Sequence, residues 1–235
     1  MRANRNPELV RLEGLLVTSR QRLVLSAIVA AVVFGIGFAI AVTIPGLGGS
    51  KSQAVTDYYN NDTKMNTAFV LFWVFALGCL AMVWFFNELS ARFEQTVLTR
   101  VAFSSAMFGI VASAAGAAVM CGPTMALDAG SPGAKFVGVD VAVAFTQGGA
   151  ALMLGVGFAA FTLTSLLYTI AAMRSRLVTK PFYIACYALV FITLGSFFWI
   201  PGYAFLFWAV VMSVGLYLRE ATAAARMPVS ERVPA

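Results

Sequence analysis

The chain has 235 residues, of which 60% are hydrophobic and only 11% are charged, with a net charge of +6. A soluble domain carries about a quarter charged residues, so a soluble fold of this length has too little interior to bury so much apolar surface. The composition therefore predicts an all-α integral membrane protein. Six helices of about 20 residues would use almost the whole chain, which leaves no room for a soluble catalytic domain.

Histidine is absent, and the three cysteines, Cys79, Cys121 and Cys186, fall in three different apolar segments. Without imidazole the chain offers no Ser–His–Asp triad and no histidine-ligated haem, zinc or copper. We expect small, buried, unpaired thiols, with no metal site and no cofactor.

The amino-terminal segment, residues 1–22, is rich in arginine and has no apolar run long enough for a cleavable signal peptide. The residue types at positions 6–8, Asn-Pro-Glu, are typical of a helix start, and leucines follow at helical spacing. We predict a short amphipathic helix from Pro7 to about Ser19, lying on the cytoplasmic membrane surface. A targeting segment for a partner is the alternative.

The apolar segments predict six spans, at about residues 23–44, 67–87, 101–120, 141–173, 182–199 and 203–218. Pro45-Gly46 is expected to end the first span and Gly122-Pro123 the third. Residues 47–66 and 123–139 are expected to be exposed loops. The fourth segment is longer than a perpendicular span requires, and the last two form a tight hairpin, for which a re-entrant hairpin is the alternative.

The distribution of basic residues predicts the orientation. Of the 16 Lys and Arg residues, only Lys51, Lys64 and Lys135 fall in the predicted outer loops. Because basic residues remain on the cytoplasmic side, both termini, including the tail 219–235, are predicted to be cytoplasmic in a cell-membrane protein. The positive charge then reports topology and attraction to anionic headgroups, and nucleic-acid binding need not be invoked.

The third span carries a stripe of small residues at every fourth position, Ser105, Gly109, Ser113 and Ala117, which Cys121 continues. Such stripes let the backbones of membrane helices approach closely, so we predict a packing groove for another helix. Packing within the chain is the first interpretation, and an oligomer interface or a lipid groove is the alternative. Ala102 lies off this stripe, and we expect it to tolerate a larger side chain.

No ionisable residue falls deep in a predicted span, which disfavours a proton-coupled pump with a central carboxylate. Two polar sets remain. The first consists of Thr162, Ser165, Tyr168, Thr169, Tyr183 and Tyr187, and the second consists of Asp140, Thr146 and Gln147. The first interpretation of both sets is structural: self-capped hydroxyls, interfacial tyrosines and a favourable helix-start aspartate. The functional alternatives are a cavity open to the cytoplasm for the first set and a site for a cation or a polar headgroup at the outer edge for the second.

The sequence favours a non-enzymatic, multi-pass membrane protein that acts as a subunit or homo-oligomer and packs against other helices or lipids. No catalytic residue is assigned, and the expected partners are the bilayer, further copies of the chain or other membrane subunits. A transporter or channel for a small or apolar solute is the first alternative. A lipid-modifying enzyme is the second, and it would depend on Glu88, Asp140 or tyrosines.

Overall fold

The structure is a computed structural model that describes residues 7–45, 52–128, 138–194 and 203–226. These residues are helical nearly throughout and contain no strand. The helices are α1 (Pro7–Phe38), α2 (Ile40–Thr43), α3 (Ser52–Tyr59), α4 (Asp62–Ser90), α5 (Val97–Asp128), α6 (Val139–Ala150), a π-helical turn (Ala151–Gly157), α7 (Phe158–Arg174), α8 (Lys180–Leu194) and α9 (Ala204–Arg226).

Five of these described segments are long and apolar enough to cross a membrane: Gln21–Phe38, Asp62–Ser90, Val97–Ala126, Val139–Arg174 and Ala204–Ala223. The described residues therefore form an all-helical bundle in which five segments have the length and composition of membrane spans. Helix α8 contains 15 residues and ends at Leu194. The rest of the predicted fifth span and the turn at 200–202 lie outside the described residues, so the sixth crossing remains a prediction.

The bundle is built from neighbours in sequence. Helix α1 packs against α4, α5 packs against α6 and α7, and α8 packs against α9. Further contacts join α4 to α5, α7 to α8 and α1 to α9. Each membrane-crossing helix thus packs against the one that precedes or follows it, and contacts between these pairs join them into one bundle.

Two glycines allow α1 and α4 to pack closely where the two helices cross. A Cβ atom on Gly78 would lie 2.6 Å from the Phe34 Cα atom, and a Cβ atom on Gly37 would collide with the backbone of Phe75. The rings of Phe34 and Phe75 meet with centroids 4.7 Å apart. Each glycine therefore provides the space in which the opposite phenylalanine sits, and the two backbones approach more closely than larger residues would allow.

Helix α1 is continuous from Pro7 to Phe38. Where the sequence indicates a separate surface helix up to about Ser19, the structure has one helix that covers this segment and most of the first span. The physical reason is that no glycine or proline between Ser19 and Leu23 interrupts the helical backbone. The turn α2 then carries the chain to the predicted end of the span at Pro45.

Two of the predicted breaks and loops are wrong. Helix α5 continues through Pro123 to Asp128, although proline removes one helical hydrogen bond, because a membrane helix is tolerant of one proline when neighbours re-satisfy the backbone. The predicted loop 47–66 contains helix α3 and the start of α4. Val55, Tyr58 and Tyr59 are buried on one side of α3, which packs against α4 and α6.

Candidate functional site

The small-residue stripe of α5 packs against the fourth membrane helix of the same chain. The Ser105 hydroxyl donates to the Ala160 carbonyl at 2.9 Å. A Cβ atom on Gly109 would lie only 2.9 Å from the Phe161 ring. A Cβ atom on Gly157 would collide with the Ser113 hydroxyl, and Ala117 is fully buried.

The same interface contains the π-helical turn. A Cβ atom on Gly116 would lie 2.6 Å from the Met153 backbone nitrogen, inside the turn. The wide turn and the glycine together bring the two backbones into contact. Ala102 was expected to lie on a tolerant face, but it is fully buried, with its carbonyl 3.4 Å from the Thr164 hydroxyl.

The predicted polar cavity is divided by the structure. The hydroxyls of Thr162, Ser165 and Thr169 donate to carbonyls of their own helix at 2.7 to 2.9 Å. The Tyr168 hydroxyl bonds to the Ser90 hydroxyl and so joins α7 to α4. Tyr183 and Tyr187 lie on α8 and are only partly buried. The structure does not bring all six residues to one cavity, because the hydroxyls of the interior members are already hydrogen-bonded within a packed core.

An aromatic column fills the centre of the bundle. Successive rings have centroids 4.5 to 6.3 Å apart. The column runs through Tyr203, Phe38, Phe158, Phe161, Phe205, Phe86, Tyr168 and Phe93. Trp208 stacks on Phe205 beside it. Seven of the eight rings in the column are buried, so aromatic side chains fill this part of the interior of the described bundle.

The predicted outer polar site is not assembled. Asp140 is exposed in the first turn of α6, whereas Thr146 is fully buried and donates to its own Ala142 carbonyl at 3.0 Å. Gln147 is exposed. The three residues therefore do not converge on one ligand. In the described ranges there is also no group of three His, Cys, Asp or Glu side chains that could hold a metal ion.

Helical spacing predicts an ion pair between Glu88 and Arg92, but in the structure Arg92 pairs with a carboxylate on another helix. Arg92 bonds both carboxylate oxygens of Glu220 at 2.8 and 2.9 Å, joining the end of α4 to α9. Glu88 instead accepts from the Trp84 indole N–H at 3.4 Å.

A group of buried hydroxyls that was not predicted from the sequence lies where α3 meets α5. The hydroxyl of Thr124 on α5 faces those of Tyr58 and Tyr59 on α3. Burial raises the pKa of Tyr58 to about 12 and also raises the pKa of Tyr59. The spacing of Val55, Tyr58 and Tyr59 on one helical face was the available signal.

Comparison of the chain with protein-family models, with curated proteins and with solved structures gives no match.

Three cavities open at the periphery of the described bundle. The α5–α7 cavity, of about 540 Å³, lies between the connection of α4 to α5 and the end of α7, and is lined by Phe93, Glu94, Thr96, Val97, Leu98, Thr99, Val101, Leu167, Ala171, Arg174 and Ser175. The Arg100 groove, of about 440 Å³, is lined by Asn87, Ser90, Gln95, Thr99, Arg100, Phe103 and Ser104. The α7–α8 groove, of about 380 Å³, is lined by Ala159, Thr162, Leu163, Leu166, Tyr187, Val190, Phe191 and Leu194.

The three cavities differ in chemistry. The α7–α8 groove is almost wholly apolar, and only Thr162 and Tyr187 bring hydroxyls to it. Six of the seven residues that line the Arg100 groove have polar side chains. The α5–α7 cavity combines an apolar wall with one cationic and one anionic side chain, Arg174 and Glu94. Such a combination suits an amphipathic ligand.

Proposed function

We propose that the chain is a non-enzymatic, multi-pass component of the cell membrane that works by contact with lipids and with other membrane helices, as a homo-oligomer or as a subunit. The observation that carries this proposal is the contrast between a filled centre and open flanks. The aromatic column fills the buried interior, while the α7–α8 groove presents Leu163, Phe191 and Leu194, which are 45%, 76% and 61% exposed. An apolar groove on the flank of a membrane helix pair suits an acyl chain or another helix.

The orientation belongs to the same proposal. Six of the nine described arginines lie in or beside the connection of α4 to α5, in or beside the connection of α7 to α8, or in the second half of α9: Arg92, Arg100, Arg174, Arg176, Arg219 and Arg226. Lys64 lies at the start of α4. Helices that alternate in direction place these connections at one end of the bundle. The positive-inside rule makes that end cytoplasmic, together with both termini.

Size and lipid content of the purified protein test the proposal. In mild detergent, native mass spectrometry is expected to record an assembly of several copies, or one copy with retained phospholipid. Replacing Phe191 by Ala should lower this association, whereas Leu77→Ala, a change at a residue of similar exposure on α4, should not. A lone chain without lipid would overturn the proposal. Solute flux through proteoliposomes would favour the transporter alternative instead.

A further inference from the structure

We propose that the α5–α7 cavity binds one phospholipid with a primary ammonium headgroup, phosphatidylethanolamine, whose phosphate contacts Arg174 and whose ammonium contacts Glu94. The inference rests on the proposed function, since it names the lipid that a lipid-contacting membrane protein would hold at this site.

The wall of the cavity suits the glycerol region and the upper part of an acyl chain. Leu98, Val101 and Leu167 contribute to its apolar lining. Val97 and Val101, on the first turns of α5, are 79% and 47% exposed. Exposed valines beside charged side chains at a helix end lie where the hydrocarbon meets the headgroups, so a lipid can cover both kinds of surface at once.

The charges at the cavity select the headgroup. Arg174 lies in the last turn of α7, and Glu94 lies in the connection before α5, and both are exposed. The ion pair found among the described side chains joins Arg92 to Glu220, so Arg174 and Glu94 do not neutralise each other. A phosphate complements the arginine. The carboxylate repels a purely anionic lipid, whereas a primary ammonium complements it with charge-assisted hydrogen bonds that a trimethylammonium group is unable to donate.

Local hydrogen bonds hold the backbone of the connection at Glu94 in place. The Thr99 hydroxyl donates to the Glu94 carbonyl at 2.8 Å, which ties the connection to the first turn of α5. The backbone N–H of Thr96 donates to the Thr99 hydroxyl at 3.0 Å, and that of Thr99 donates to the Thr96 hydroxyl at 3.3 Å. The first N–H groups of a helix have no partner within it and attract phosphate, and Val97 and Leu98 at the start of α5 belong to the cavity lining.

Lipid titrations of the full-length protein, followed by native mass spectrometry, test the proposal. Phosphatidylethanolamine, phosphatidylcholine and phosphatidylglycerol with identical acyl chains are compared. We expect the parent protein to prefer phosphatidylethanolamine by about tenfold, as one charge-assisted hydrogen bond provides. Glu94→Gln should abolish the preference over phosphatidylcholine, and Arg174→Gln should weaken binding of all three. The controls Glu88→Gln and Arg100→Gln, which change charges outside this cavity, should keep the parent's preference.

Two other outcomes would overturn the proposal. Tighter binding of phosphatidylglycerol than phosphatidylethanolamine, enhanced further by Glu94→Gln, would mark a site for anionic lipid. Equal binding by the parent protein and both cavity variants would place the bound lipid elsewhere. In either case, the proposed function would still hold if the protein retains lipid or self-associates and Phe191→Ala lowers that association. If the protein neither retains lipid nor self-associates, the proposed function is wrong as well.

Discussion

The indole N–H of Trp208 donates to the Thr169 hydroxyl at 2.9 Å and so joins α9 to α7 in the buried interior of the bundle. The same hydroxyl donates its own proton to the Ser165 carbonyl at 2.7 Å. The Thr169 hydroxyl therefore accepts one hydrogen bond and donates another. The Trp208 indole N–H has this partner only because Thr169 carries a side-chain oxygen.

Replacing Thr169 by Val should destabilise the bundle by about 1 to 3 kcal/mol, because the buried Trp208 N–H loses its acceptor. The change should appear as a lower midpoint of thermal unfolding in detergent. Thr162→Val is the matched control, since the Thr162 hydroxyl bonds only to its own Phe158 carbonyl, and it should melt close to the parent. Equal melting of the two variants would contradict the assigned role.

Enlarging the centre of the stripe on α5 should also destabilise the protein. Gly109→Leu places a branched side chain against the Phe161 ring and the Gly157 carbonyl. Overpacking of this kind costs on the order of 1 to 3 kcal/mol. The matched control is Ala118→Leu on the exposed side of the same helix, where acyl chains can adapt. A Gly109→Leu protein that melts like the parent would show that this face does not pack as described.

The close approach of α1 and α4 gives a smaller substitution a large effect. Gly78→Ala adds one methyl group where the Phe34 backbone leaves no space, so we expect unfolding at a lower temperature or denaturant concentration. Gly148→Ala on α6 meets no atom within 4 Å and should be neutral or slightly stabilising, because alanine favours the helix. If the Gly148 variant is the less stable of the two, the crossing is described wrongly.

The buried Tyr58 predicts a stability change at alkaline pH. Its pKa is raised from about 10 in the unfolded chain to about 12. The unfolded state therefore releases a proton first, so the stability contribution is complete below pH 10 and is lost as the pH rises towards 12. Stability measured across this interval should fall less steeply in Tyr58→Phe than in the parent. Tyr217→Phe on α9 serves as the control, and identical slopes in the parent and Tyr58→Phe would refute the prediction.

Labelling of single introduced cysteines tests the orientation. Cys79, Cys121 and Cys186 are buried and should react little with a membrane-impermeant maleimide. Ser175→Cys, between α7 and α8, should react only after the cytoplasmic face is opened, while Ser52→Cys, at the start of α3, should react in intact cells. The reverse pattern would invert the topology and move the proposed phospholipid site to the outer leaflet.

Composition alone is enough to predict a helical membrane bundle, because long apolar segments leave few other solutions. The small-residue stripe also indicates the face of α5 that approaches another helix, although sequence does not say which helix. The pairs Gly37 with Phe75 and Gly78 with Phe34 have no such signal, because each depends on the relative rotation of two helices. For the same reason, the cluster of α7 hydroxyls resembles a cavity lining until the rings that pack against it are known.

Other segments have sequences that predict a loop or a helix end, yet they are helical in the structure. Residues 52–59 have a polar composition, which favours a loop, yet three residues on one helical face bury themselves against α4 and α6. Pro123 has a helix-breaking signal, but tertiary contacts in the membrane outweigh this local preference. Glu94 and Arg174 are separated by α5, α6, the π-helical turn and all of α7 but its last residue, so no sequence pattern could place them on one cavity.

The pairing of successive helices has a consequence for biosynthesis. Because α1 finds its packing partner in α4, a nascent chain that has emerged as far as Ser90 already contains both halves of the glycine-closed crossing. The later pairs are likewise completed in the order in which the ribosome makes them. We expect insertion to proceed hairpin by hairpin, so that a chain released after Ser90 should resist limited proteolysis in the membrane, and its Gly78→Ala counterpart should not.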